Sequence, residues 1–420
     1  MSFLLLLIIF TELTFEMMQK TEKTPAGLFA AKALASQVKK ELLSDILPYW
    51  RQKVCRPEGG FWGKIDGNEL IHPDAPVGSI MTARILWTFA SAYRLLGNKD
   101  DLDVALQAKD LLINKFYDHE HGGVYWSATP SGTPLDTKKQ IYAIAFAIYG
   151  LAELHRATGD EQALDYAVKL YHSIEEHSFD REKGGYFEAF TREWDTIEDM
   201  RLSAKDANES KTMNTHLHVL EAYTCLYRVW KSTQLQESLL RLIECFVNHI
   251  VGADGHLKLF FNNDWECRST TISYGHDIEA SWLLHEAALV LDDKDVIQRI
   301  EELVPRIAKA ADEGFCPEKG MKYEKHGSEG PIDGDRHWWV QAETVVGYFN
   351  LWDRFGSLEG IEKALMCWDF IKADIIDHIN GEWFWSVRSD GTVNREDDKA
   401  GFWKCPYHNG RMCMEILERL

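Results

Sequence analysis

A short motif recurs six times along the chain: turn residues, one or two glycines, then aromatic or apolar residues. It reads Gly59-Gly60-Phe61-Trp62, then Gly122-Gly123-Val124-Tyr125-Trp126, then Gly184-Gly185-Tyr186-Phe187. It returns more loosely as Gly255-His256-Leu257, Gly320-Met321-Lys322-Tyr323 and Gly381-Glu382-Trp383-Phe384-Trp385. The spacing, roughly 60 to 70 residues, suits one helix pair per repeat.

Between the motifs the apolar residues recur with helical periodicity. Stretches before the later motifs lie at 100–116, 161–177, 234–250, 294–311 and 358–376, and 29–50 precedes the first. Stretches after them lie at 78–97, 138–157, 210–231, 275–292, 338–354 and 406–419. No alternating run is long enough for a large sheet, and no Pro/Ser-rich linker divides the chain. Residues 21–420 therefore read as one all-α domain, a single closed (α/α)6 barrel of six helix hairpins joined by short β-like glycine loops. The second helix of each pair is expected inside, as the small, mixed-face run Tyr142-Ala143-Ile144-Ala145-Phe146-Ala147 suggests. Parallel inner helices would open all their N-termini at the end where the glycine loops arrive.

The composition narrows the partners. A net charge of -20 without a basic run disfavours nucleic acid and anionic membranes. The eight cysteines form no CxxC pair, which argues against zinc and for free thiols in a reducing cytoplasm. Fifteen Trp are many to bury, because each indole N–H needs a partner, so some are expected to line a cleft that stacks on sugars. Residues 1–20 fall outside the pattern. The apolar run Phe3 to Phe10 is too short to span a bilayer and lacks a basic flank, so a start at Met17 or Met18 is expected. A cytoplasmic monomer or weak homodimer is the resulting picture.

Polar residues that break the apolar pattern cluster at the expected inner-helix starts. Asn214, His218 and Glu221 share one face, while His216 points elsewhere. His276, Glu279 and Trp282 form a second stripe, and Arg84 and Trp87 a third. Trp338, Trp339 and Glu343 open the fifth inner helix, and His408 and Arg411 open the sixth after Trp403 and Pro406. A lone helical His is more often a packing residue than a catalyst. Three at one end of one barrel point instead to a cavity, with His218, His276 and His408 within roughly 10 Å of one another. Imidazoles titrate near neutrality and suit reversible proton transfer, whereas glycoside hydrolysis needs two flanking carboxylates.

The segments carrying these residues resemble the cellobiose 2-epimerases of the N-acylglucosamine 2-epimerase superfamily. They are Arg84-Ile85-Leu86-Trp87-Thr88-Phe89, Asn214-Thr215-His216-Leu217-His218-Val219-Leu220-Glu221 and Gly275-His276-Asp277-Ile278-Glu279-Ala280-Ser281-Trp282. Trp338-Trp339-Val340-Gln341-Ala342-Glu343 and Trp403-Lys404-Cys405-Pro406-Tyr407-His408-Asn409 complete the set. The resemblance runs from about residue 30 to the C-terminus. It implies reversible epimerisation at C2 of the reducing-end glucose of β-1,4-linked disaccharides, cellobiose to glucosyl-mannose and lactose to epilactose. It implies no metal and no cofactor. It makes His276 and His408 the acid/base pair and His218 the residue that assists ring opening. Arg84 and Asn214 would hold sugar oxygens, and Glu279 would orient a catalytic group or hydroxyl. Trp282, Trp338, Trp339 and Trp403 would stack on the rings, with Tyr125 lining the cleft. The sibling activities, N-acylglucosamine 2-epimerase and mannose-type aldose–ketose isomerase, remain open. An (α/α)6 glycoside hydrolase and a non-catalytic sugar binder stand further off.

Overall fold

Tight two-residue turns and long glycine loops alternate along the chain, and this alternation sorts its helices into two layers. The computed structural model describes residues 23–327 and 329–420, so the expected extension over residues 1–20 lies outside the described residues. The outer helices are α1 (Pro25–Glu41, carried to Val54 by wide turns), α3 (Lys99–Leu111), α5 (Glu161–His177), α7 (Thr233–Cys245), α9 (Lys294–Ala311) and α11 (Leu358–Phe370). The inner helices are α2 (Ser79–Leu96), α4 (Ile141–Thr158), α6 (Met213–Val229), α8 (Tyr274–Leu291), α10 (Trp338–Phe355) and α12 (Tyr407–Glu418).

The turn from inner to outer helix has a repeated local cause. Gly97, Gly159 and Gly356 end α2, α4 and α10 in the left-handed region, and Asp292 does the same for α8. The next residue, Asn98, Asp160, Asp293 or Ser357, caps the following helix through its side chain. The two layers differ in burial. On α9 the buried residues Ile300, Leu303, Val304, Ile307 and Ala308 form one stripe, with Ala310 and Ala311 at the helix end. On α4 every residue from Ile141 to Leu154 is buried, as an inner helix wrapped by neighbours must be. Each inner helix packs on the next, and α12 returns to α2, closing the ring. The approach is close: a Cβ on Gly150 of α4 would stand 2.7 Å from the Ala83 carbonyl of α2.

The glycine loops form a collar at the N-terminal end of the inner helices. The residues just before an inner helix pair antiparallel with the following repeat's loop, as in Val77↔Ala128, Lys139↔Phe190, Lys211↔Phe261 and Arg336↔Val387. A bridge between Ile65 and Ala400 joins the first loop to the last. Three loops share a buried latch. Asp118, Asp180 and Asp377 accept turn N–H groups through one carboxylate oxygen and a lysine through the other. The lysines are Lys139 (2.9 Å), Lys211 (2.7 Å) and Lys399 (2.8 Å). Removing one partner of such a pair strands a buried charge. Lys211→Met is therefore expected to lower stability by about 3–5 kcal/mol. Loss of the exposed pair Lys169–Asp165 should stay below about 1 kcal/mol. Urea unfolding of both variants checks this, and equal effects would refute the latch.

None of the eight cysteines is paired. Among the described residues, no helix is long and apolar enough to cross a membrane.

Candidate active site

Aligning the inner helices by their first residue exposes the site as layers. The sixth residue of α2, α4, α6, α8 and α10 is Arg84, Phe146, His218, Glu279 and Glu343, and Arg411 is the fifth of α12. Nearer the mouth stand Tyr142, Asn214, His276, Trp339 and His408, each the second or third residue of its helix. Every inner helix thus contributes within its first two turns. The six N-termini, each carrying about half a positive charge, favour a developing negative charge there.

Two of the three expected histidines are held from behind by carboxylates. The Nδ1–H of His218 donates to Glu221 (2.9 Å), and the Nδ1–H of His408 donates to Glu343 (2.7 Å). Glu343 also accepts from Trp282 (3.0 Å) and from Arg411 (2.7 Å), so it faces donors throughout. This arrangement leaves Nε2 of each ring as the free lone pair. Nδ1 of His276 shares a hydrogen bond of 2.7 Å with Ser273 Oγ. Trp339 lies against both His276 (4.8 Å between ring centres) and His408 (5.7 Å). His218 packs against Tyr142 (4.9 Å) and Phe146 (4.8 Å), and Phe146 in turn meets Tyr407 (5.2 Å), the residue before His408.

Burial dominates the electrostatics. It pushes His276 down to about 3 and His408 well below the usual imidazole value, where Arg84 and Arg411 reinforce it, and at His218 it outweighs the opposing pull of Glu221. All three are neutral imidazoles at physiological pH, competent to accept a proton. Behind them Arg411, itself fully buried, gathers three carboxylates. One guanidinium nitrogen meets Glu221 and Tyr407, and the other meets Glu279 and Glu343, each at 2.7 Å. Burial opposes ionisation of Glu221, but Arg411 and His218 bring it down to about 2. Burial and the neighbouring Glu343 push Glu279 well above the usual carboxylate range, and its Oε2 has no hydrogen-bond partner. Glu279, Glu343 and His408 form the one potential metal-ligating trio among the described residues, and Arg411 already supplies a cation to its two carboxylates.

The remaining candidates divide. Arg84 donates to Tyr142 Oη (2.7 Å) and to the Trp403 carbonyl (3.2 Å), with its Nε unpartnered. Asn214 keeps Oδ1 unpartnered at the mouth. Trp403 lies beside Tyr142, and Trp338 packs beneath Trp385 with an unpaired N–H. Two candidates sit apart from these residues. Trp282 is 1% exposed and clamped between Glu343 and Arg411. Six residues past His276, it lies about 9 Å deeper along the helix, too far down to stack on a sugar at the mouth. Tyr125 packs over the Lys139–Asp118 latch beside Arg192. Tyr142, absent from the expected set, takes the inner position: its ring lies 4.9 Å from His218 and its hydroxyl meets Arg84. Glu221, Glu343 and Arg411 were visible as stripe members, but their shared cluster was not. His216 hydrogen-bonds Thr212 and the Tyr186 N–H, away from the trio, as its spacing required.

The far end of the barrel holds a cavity of about 810 Å³ with a different character. Arg94, Arg156, Arg228, Arg354 and Arg419 ring it near the helix C-termini, where cations offset the helix dipoles. Glu221 and Trp282 form part of its floor, so the buried cluster separates it from the histidines.

In sequence and overall fold the chain is similar to named proteins. The family profile of N-acylglucosamine 2-epimerase matches residues 60–410. The chain is 59% identical over 386 residues to a cellobiose 2-epimerase of Bacteroides fragilis, covering 91% of this chain and 98% of that protein. It is 38% identical to a cellobiose 2-epimerase of Ruminococcus albus, covering 92% and 99% of the two chains. The solved cellobiose 2-epimerase of Bacillus thermoamylovorans superposes with a TM-score of 0.89 at 39% identity, over 93% of this chain and all of the other.

Proposed function

Because the chain belongs to the N-acylglucosamine 2-epimerase family and is therefore a carbohydrate epimerase, we propose that it inverts C2 of the reducing-end glucose of β-1,4-linked disaccharides. Cellobiose would give glucosyl-mannose, and lactose would give epilactose. What supports this reading is that three inner helices each bring an imidazole within their first two turns, two of them hydrogen-bonded to carboxylates that share one arginine. An aromatic ledge supports a second sugar ring. From Trp339 it continues through Tyr323, stacked on His337 at 3.9 Å, to Trp385.

The chemistry follows from the acidity of C2–H, which is useful only when C1 is an open aldehyde. His218, held by Glu221, moves the proton between the ring oxygen and the C1 hydroxyl that opens the ring. One of His276 and His408 then takes the C2 proton through a free imidazole nitrogen. The C2–H electron pair becomes the C1–C2 double bond, and the carbonyl oxygen gains negative charge. Arg84 and the inner-helix N-termini stabilise that cis-enediolate. Rotation about C2–C3 presents the other face, and the second histidine, having taken up a proton from solvent, delivers it there, while the first releases the abstracted proton to solvent and both return to the neutral form. One base alone would mainly restore the starting sugar.

Incubation with cellobiose, lactose, mannose and N-acetylglucosamine, followed by chromatography, tests the reading. The expected products are glucosyl-mannose and epilactose. Predominant ketose, turnover of N-acetylglucosamine alone, or release of monosaccharides from cellobiose would each refute it.

A further inference from the structure

The second position of three glycine motifs is a left-handed glycine: Gly60 (φ 83°), Gly123 (φ 69°) and Gly185 (φ 80°). The sixth motif puts Glu382 there and keeps the conformation, with φ 62°. A residue with a side chain is strained in that region, and glycine would relieve the strain. What the carboxylate does must therefore outweigh that cost.

Glu382 is fully buried, and both its oxygens are engaged. Oε1 accepts from Lys404 Nζ (2.7 Å), Asn409 Nδ2 (2.7 Å) and the Trp383 N–H (2.9 Å). Oε2 accepts from Trp50 Nε1 (2.7 Å) on α1. Lys404 and Asn409 are themselves fully buried. Between these two donors run Cys405, Pro406, Tyr407 and His408. Just before them Trp403 offers its carbonyl to Arg84. A single carboxylate thus staples both ends of the strip that presents His408 and ties it to the first outer helix.

We propose that Glu382 is a positioning residue for the epimerisation, setting the place of His408 against C2 on one face of the sugar. This rests on the function proposed above. Glu382 touches no substrate in this account; it acts through Lys404, Asn409 and the strip between them. Its loss should therefore affect one proton transfer and spare the other, which a general stabilising role would not do.

The test is C2 deuterium labelling of both epimers in heavy water, with steady-state kinetics, in Glu382→Gly, Glu382→Gln and Glu382→Gly/Lys404→Met. The double variant removes the ammonium that the single glycine variant would strand. Displacement of the histidine by about 1 Å should lower kcat on the order of 100-fold, with KM changed by less than about threefold. Labelling should be lost in the epimer that His408→Asn fails to label and persist in the other. Glu382→Gln keeps one acceptor oxygen, enough for Lys404, Asn409 and the Trp383 N–H, while its amide nitrogen would face the Trp50 N–H, so it should recover part of the rate. Equal loss of labelling in both epimers, an unchanged kcat, or failure of the double variant to fold would overturn the role of Glu382. Absence of C2 labelling by the unaltered enzyme would instead overturn the proposed function.

Discussion

Replacing His408 by Asn, or His276 by Asn, is expected to cut epimerisation on the order of 100-fold or more, the usual weight of a general acid/base. Each change removes the proton carrier on one face only. The remaining imidazole can still take and return the C2 proton of the epimer it faces. In heavy water each variant should therefore wash deuterium into one epimer without inverting it, and the two should favour opposite epimers. Neutral imidazoles are needed for this, and burial keeps both well below the ordinary histidine value. His218→Asn should slow labelling of both epimers alike, because ring opening precedes either transfer. If His276→Asn and His408→Asn label the same epimer, or inversion proceeds without solvent deuterium, the two-base assignment fails.

Arg411→Met is expected to damage both stability and chemistry. The guanidinium is the cation shared by Glu221, Glu279 and Glu343, all buried. Without it three carboxylates face one another in a dry site, at a cost of about 3–5 kcal/mol near neutral pH. Because Glu221 and Glu343 steady two different histidines, labelling of both epimers should fall together, unlike in the single histidine variants. The pH dependence has a definite sign. Arg411 is the largest influence holding Glu221 ionised against burial. Once it is gone, burial and mutual repulsion raise Glu221 above the ordinary value of 4.5 and push Glu279 and Glu343, already raised, higher still. The folded variant then holds protons that the unfolded chain releases, so its stability declines as pH rises through those raised values. The deficit relative to the parent should thus be smaller at about pH 5 than at about pH 8. Denaturant titrations at both values decide the matter, and an equal deficit would show that the cluster does not depend on the arginine's charge.

The repeat architecture was legible because its determinants are local. A left-handed glycine followed by Asn98, Asp160 or Ser357 ends one helix and caps the next whatever the rest of the chain does. The six glycine motifs set the period, and the burial of α4 all round against the stripe of α9 follows from composition along each segment. The mouth residues were legible for a related reason. Parallel inner helices bring their first turns together, so His218, His276, His408, Arg84 and Trp339 could be placed at one end by counting from helix starts.

What counting could not give was depth and partnership. Trp282 looked like a mouth residue because it shares a stripe with His276, but helical rise carries it below the sugar, where it braces Glu343. Tyr125 follows a glycine motif, yet the collar turns it onto the Lys139 latch, and Tyr142 takes the inner position. The cluster of Arg411 with Glu221, Glu279 and Glu343 joins side chains from α12, α6, α8 and α10. Glu382 joins the strip from Lys404 to Asn409 to Trp50, which lies 332 residues before Glu382 along the chain. Sequence by itself determined the helices, their order and which residues open each one, because caps and periodicity act within a few residues. Tertiary structure alone decided which charges meet in the dry interior, because that pairing depends on how six helices close into a ring.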